Sequence, residues 1–103
     1  MVEITVEELK QWRQENPNLY IVDVRRPDEF TIVSLTKCIN IPLDQLPNTF
    51  MQLPIDEKII TLCHHGVRSL RAALWLRSQG YEAFSVQGGI DAWAIKIDPS
   101  LPT

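Results

Sequence analysis

Cys63-His64-His65-Gly66-Val67-Arg68-Ser69 gathers a thiol, two imidazoles, a guanidinium and a hydroxyl around one glycine. The run before it, Ile59-Ile60-Thr61-Leu62, reads as a buried strand that ends on the cysteine. A short loop follows, and then a helix begins. The first amides of a helix have no partner inside it, and its dipole is positive at that end. Both effects favour a thiolate over a thiol, and the thiolate is the nucleophile. The pattern predicts a cysteine enzyme that acts on an anionic substrate.

Each neighbour has a chemical reading and a structural one. Gly66 permits a turn that points consecutive backbone N–H groups at the sulfur. Arg68 supplies a fixed positive charge at a helix start, where a cation is unfavourable unless it holds an anion. Its alternative is a solvated side chain or an ion pair with Asp23 or Glu29. His64 and His65 are adjacent, so their side chains are expected to point differently. They could donate hydrogen bonds to the anion or lie on the loop surface. Ser69 either caps the following helix or bonds within the loop. Cys-His-His in direct succession lacks zinc-ligand spacing, so neither a metal nor a cofactor is expected.

These residues need a scaffold. Thr5 with Glu8 predicts a capped helix to about Glu15, stopped by Asn16-Pro17-Asn18. Leu19 to Val24 reads as a buried strand, and Pro27-Asp28-Glu29-Phe30 as a helix start. Cys38 to Ile41 reads as a short strand. A weaker helix is expected over Leu43 to Leu53, interrupted at Pro47. Lys58 to Leu62 is the next strand. Val67 to Gln79 is the clearest helix, with Val67, Leu70, Ala73, Leu74 and Leu76 at helical spacing and Gly80 at its end. Ala83 to Val86 is a last strand, and Gly88-Gly89 leads into a helix around Ile90 to Ala94. The tail from Asp98 to Thr103 reads as irregular. Strands alternating with helices imply an α/β fold with a mainly parallel sheet, in which ligands sit beyond the carboxyl ends of strands.

Asp23-Val24-Arg25 with Glu29-Phe30, then Cys63 through Ser69, then Gly88-Gly89-Ile90 with Trp93, together resemble the single-domain rhodanese-like sulfurtransferases. The resemblance implies a five-stranded sheet flanked by helices, formed as one domain over residues 1–103. It implies a catalytic Cys63 opening a loop that closes at Arg68. In that reading Cys63 takes a sulfane sulfur from an anionic donor, with thiosulfate favoured, as a persulfide and passes it to a thiophilic acceptor such as cyanide or a thiol. His64, His65, Gly66, Val67, Arg68 and Ser69 would bind the donor. Asp23 and Arg25 would tie the motif together from behind, the alternative being a surface ion pair. The chain departs from the family at Val33-Ser34-Leu35 and Lys37-Cys38, where Gly-His-Ile and then Gly-Ala are usual. Cys38 reads as a small apolar residue or as a second thiol able to resolve the persulfide.

Two rival functions share these features. Tyrosine-phosphatase and arsenate-reductase loops also combine Cys, backbone amides and Arg, but with five residues between Cys and Arg. Here four, His64 to Val67, intervene, which suits a single sulfur atom better than a tetrahedral oxyanion. The second rival is a non-catalytic binding module on the same fold, whose members typically lack the cysteine.

The remaining composition narrows the setting. A net charge of -3 over 103 residues gives no basic footprint for nucleic acid. The opening Met1-Val2-Glu3-Ile4 has no signal-peptide pattern, and no apolar run approaches a membrane span. A cytoplasmic monomer working with a small donor and a small-molecule or protein acceptor is expected.

Overall fold

The computed structural model describes residues 1–101. Five strands, β1 (Glu3–Ile4), β2 (Tyr20–Asp23), β3 (Cys38–Asn40), β4 (Lys58–Leu62) and β5 (Glu82–Val86), form one sheet in the order β1-β5-β4-β2-β3. Every pairing is parallel. Five helices connect and cover them: α1 (Val6–Glu15), α2 (Pro27–Ile32), α3 (Leu46–Thr49), α4 (Val67–Ser78) and α5 (Gly89–Lys96). Among the described residues no helix is long and apolar enough to cross a membrane.

The sheet is buried on both faces, as parallel sheets are. Side-chain alternation along each strand splits the core in two. Ile21, Ile60, Leu62, Phe84 and Val86 face one layer with Leu9 of α1 and Ile90 and Trp93 of α5. Val22, Ile59, Ala83 and Cys63 face the other, with Leu46 of α3 and Ala72, Ala73 and Leu76 of α4.

The capping box expected at the start of α1 is present: the Glu8 amide donates to Thr5 Oγ1 at 3.1 Å, and the Thr5 amide to Glu8 Oε1 at 2.9 Å. Three differences from the sequence reading have physical causes. β1 is too short to give a strand pattern, and it exists because Glu3 and Ile4 pair with Ser85 and Val86. The helix expected over Leu43 to Leu53 is one turn of α-helix between two 3-10 turns, Leu43–Gln45 and Phe50–Gln52, because Pro47 has no amide to continue a longer ladder. In α4, Val67 and Leu74 are exposed, and the buried face is Ser69, Ala72, Ala73 and Leu76. Small residues face the sheet there, so apolarity alone misplaces the stripe. From Asp98 to Leu101 no regular element forms; Pro102 and Thr103 lie outside the described residues.

Candidate active site: a cysteine loop beyond strand β4

Cys63 follows the last residue of β4, the central strand, and α4 starts four residues later. The chain reverses direction across the sheet here. β3 lies at one edge and the next strand, β4, lies inside, between β2 and β5. Such switch points leave a crevice at the carboxyl ends of strands.

The sulfur is held from three directions. Cys63 Sγ accepts the Gly66 amide at 3.0 Å and the Ser69 amide at 3.3 Å. Ser69 Oγ lies 3.4 Å from it. Gly66 reaches this geometry at φ 102°, in the left-handed region. The amides that face the sulfur are therefore those of Gly66 and Ser69, rather than a consecutive run. Cys63 is 1% exposed.

The outer side of the loop is tied off by α5. The Ile90 amide donates to Cys63 O at 2.9 Å and the Asp91 amide to His64 O at 3.0 Å. Gly89, at φ 61°, lets the two backbones touch: a β-carbon there would fall on Cys63 O and lie 2.5 Å from His64 O. Gly88-Gly89 is thus a close-approach device. Trp93, one turn on, is buried in the α1/α5 layer under the Arg13 guanidinium.

Arg68 is not free. Its Nη1 and Nη2 donate to Glu29 Oε1 and Oε2 at 2.6 and 3.0 Å. The pair joins the start of α4 to α2 across 39 residues of sequence. Arg68 holds the Glu29 carboxyl down at about 2, from an ordinary 4.5. Glu29 in turn raises the Arg68 guanidinium.

His64 and His65 do not point apart as expected. Their rings stack, with centroids 4.1 Å apart and planes 9° from parallel. Divergence is a property of extended backbone, and the loop bends sharply here. His64 is half-buried and His65 and Val67 are exposed.

Asp23 and Arg25 form a buried pair, 0% and 2% exposed, and not a surface one. Arg25 Nη2 meets Asp23 Oδ2 at 2.7 Å, and Arg25 Nε donates to Asp23 Oδ1 at 2.9 Å. Arg25 also donates to Val33 O, and Asn40 Nδ2 donates to Asp23 O and Arg25 O. This network braces β2, β3 and the end of α2, the helix that carries Glu29. It makes no hydrogen bond to residues 63–69 among the described residues. Cys38 packs on the α1/α5 side of the sheet, whereas Cys63 faces α4. Burial pushes the Cys38 thiol up to about 12.

Among the described residues, no group of three or more His, Cys, Asp or Glu side chains is placed to hold a metal ion. The missed site residues are Glu29, which the sequence reading used as a motif residue and as an alternative partner for Arg68 but did not place in the site, and Ser85, whose hydroxyl lies 2.7 Å from Ser69 Oγ. No local pattern marks a serine on a strand sixteen residues from its partner.

A parallel α/β sheet with a cysteine cradled by amides beyond its central strand defines a class of cysteine-loop domain. Residues 5–96 match the model of the rhodanese-like domain, and the chain belongs to that family. It is 37% identical over 109 residues to rhodanese-like/PpiC domain-containing protein 12, chloroplastic, of Arabidopsis thaliana, covering 98% of this chain and 36% of that protein. The chain thus spans about a third of that relative's length. Over 84 residues it is 30% identical to thiosulfate sulfurtransferase GlpE of Vibrio cholerae, covering 81% of this chain and 79% of GlpE. The crystal structure of a rhodanese-like domain protein from Staphylococcus aureus superposes with a TM-score of 0.86 at 32% identity, covering 99% of this chain and 97% of that one.

Proposed function

We propose that this domain is a sulfurtransferase that carries sulfane sulfur on Cys63. The observation that carries the reading is the cradle: two amides and one hydroxyl converge on one sulfur at the carboxyl end of the central strand. Donors aimed at a sulfur stabilise its anionic form.

The Cys63 thiolate attacks the outer sulfur of thiosulfate. The new bond joins Cys63 Sγ to that sulfur, the donor's S–S bond breaks, and sulfite leaves with the electron pair. Cyanide or a thiolate then attacks the outer sulfur of the persulfide, and the Cys63 thiolate is the leaving group. Two half-reactions on one nucleophile give ping-pong kinetics. Thiosulfate is favoured as donor because Arg68, His64 and His65 belong to the same short loop as Cys63, and because GlpE of Vibrio cholerae, a relative of similar length, is named for that donor. The domain would work without a cofactor, as a cytoplasmic monomer, on small molecules or a protein acceptor.

The test is the intact mass of wild type and Cys63→Ala after brief exposure to thiosulfate. One added sulfur atom on wild type alone, removed by cyanide, is the expected result. No gain from thiosulfate, mercaptopyruvate or a desulfurase-generated persulfide would overturn the reading in favour of a binding module. Hydrolysis of an aryl phosphate would overturn it in favour of a phosphatase.

A further inference from the structure

Behind the sulfur lies a buried row of hydroxyls. Thr61 on β4 and Ser85 on β5 are register partners, and both face α4. Thr61, Ser69 and Ser85 are each 0% exposed. Ser69 Oγ sits between Cys63 Sγ at 3.4 Å and Ser85 Oγ at 2.7 Å. The Thr61 proton is committed elsewhere, to Ser69 O at 2.7 Å or Phe84 O at 3.4 Å.

Hydroxyl counting fixes the direction of this row. Among the described residues, Ser69 Oγ is the one hydrogen-bond partner of Ser85 Oγ. If Ser69 donated to Ser85, the Ser85 proton would be buried without an acceptor, which folded interiors avoid. Ser85 must therefore donate. As a thiol, Cys63 Sγ donates to Ser69 Oγ. Once the sulfur is a thiolate it can only accept, and Ser69, which already accepts from Ser85, turns its own proton to the Cys63 sulfur. Without Ser85, the Ser69 hydroxyl would be free to turn to a carbonyl one helical turn back, as helix serines commonly do.

We propose that Ser85 is a positioning residue: its hydroxyl donates to Ser69 Oγ and so aims the Ser69 proton at the Cys63 sulfur. The Cys63 sulfur is anionic twice in a sulfur-transfer cycle, as the attacking thiolate and as the thiolate released to the acceptor. The inference deepens the sulfurtransferase reading, but the hydrogen-bond row itself concerns any reaction of the thiolate.

A double-mutant cycle tests it on two readouts at one fixed pH: sulfur loading from thiosulfate, and alkylation of Cys63 by iodoacetamide followed by peptide mass. Ser69→Ala and Ser85→Ala are each expected to slow both by about fivefold, with the KM for thiosulfate unmoved. The double variant is expected to be no slower than Ser69→Ala alone, since Ser85 acts through Ser69. Ser85→Thr and Ser85→Val share a shape and differ in the hydroxyl, so the threonine variant is expected to be about fivefold faster. An unchanged Ser85→Ala, an additive cycle, or equal rates for the threonine and valine variants would overturn the proposal. If alkylation follows the expected cycle but wild type takes up no sulfur, Ser85 keeps its role and the sulfurtransferase reading falls.

Discussion

Glu29 and Arg68 meet through two parallel hydrogen bonds, at 2.6 and 3.0 Å, at the edge of the cysteine loop. The charge that an anionic donor would seek is already engaged by a carboxylate. The two removals should therefore act in opposite directions. Arg68→Ala is expected to raise the KM for thiosulfate about tenfold with a smaller change in kcat, as loss of a charged contact to the donor does. Glu29→Gln frees the guanidinium and is expected to lower that KM about threefold. Steady-state kinetics on both variants check the pair. An unchanged KM in Arg68→Ala would remove Arg68 from donor binding.

The same contact gives a pH dependence. Glu29 sits at about 2 in the folded protein against an ordinary 4.5. A carboxylate lowered by folding contributes stability that is fully present above its unfolded value and is lost as pH falls through its folded value. The stability difference between wild type and Glu29→Gln is therefore expected to be constant above about pH 5 and to shrink from there toward pH 2. Urea unfolding of both proteins across that range measures it. A difference that grows on acidification would contradict the sign.

Gly89 offers a test of the loop's outer support. A methyl at this position would meet the carbonyls of Cys63 and His64, in a backbone conformation that L-residues avoid. Gly89→Ala is expected to cost about 1–3 kcal/mol in strain alone. Displacing the loop by even an ångström is expected to slow sulfur loading about a hundredfold. Thermal unfolding and the loading assay check the two effects separately.

Asp23 and Arg25 carry their charges in a site closed to water. Removing one partner leaves the other buried and uncompensated. Asp23→Ala is expected to destabilise the fold by about 3–5 kcal/mol, a large part of a typical domain's stability. The double variant Asp23→Ala, Arg25→Met should recover part of that loss. Chemical denaturation of the three proteins decides it.

Lys37 is the one non-glycine residue with positive φ among those described, at 61°. It stands where the family usually has glycine. The left-handed conformation costs an L-residue roughly 1–2 kcal/mol, partly offset by the greater freedom of glycine when unfolded. Lys37→Gly is expected to raise stability by about 0.5–1 kcal/mol, seen as a rise of a few degrees in melting temperature.

The features readable in the sequence are those with local causes. Thr5 and Glu8 announce α1 because a capping box is complete within four residues. Strands β2, β4 and β5 announce themselves as apolar runs because both faces of a parallel sheet are covered. Cys63 and Gly66 could be placed in the site because the strand, loop and helix that form the cradle are contiguous. Features with distant causes stayed hidden. β1 is defined by pairing with β5 at the far end of the chain. The stacking of His64 on His65 follows from a bend that adjacent residue types do not encode. The choice of Glu29 over Asp23 as the Arg68 partner depends on how α2 lies over the loop. Ser85 required the register of β4 against β5 before its hydroxyl could be placed.

The hold of α5 on the carbonyls of Cys63 and His64 has a consequence for synthesis. The amides of Ile90 and Asp91 are made after the cysteine, and so are those of Gly66 and Ser69 and the hydroxyl of Ser85. A chain still emerging from the ribosome can expose Cys63 while the helix that fixes its loop remains inside the exit tunnel. During that interval the thiol is an ordinary cysteine on an unfinished polypeptide, and the outer hold on its loop comes only when α5 docks.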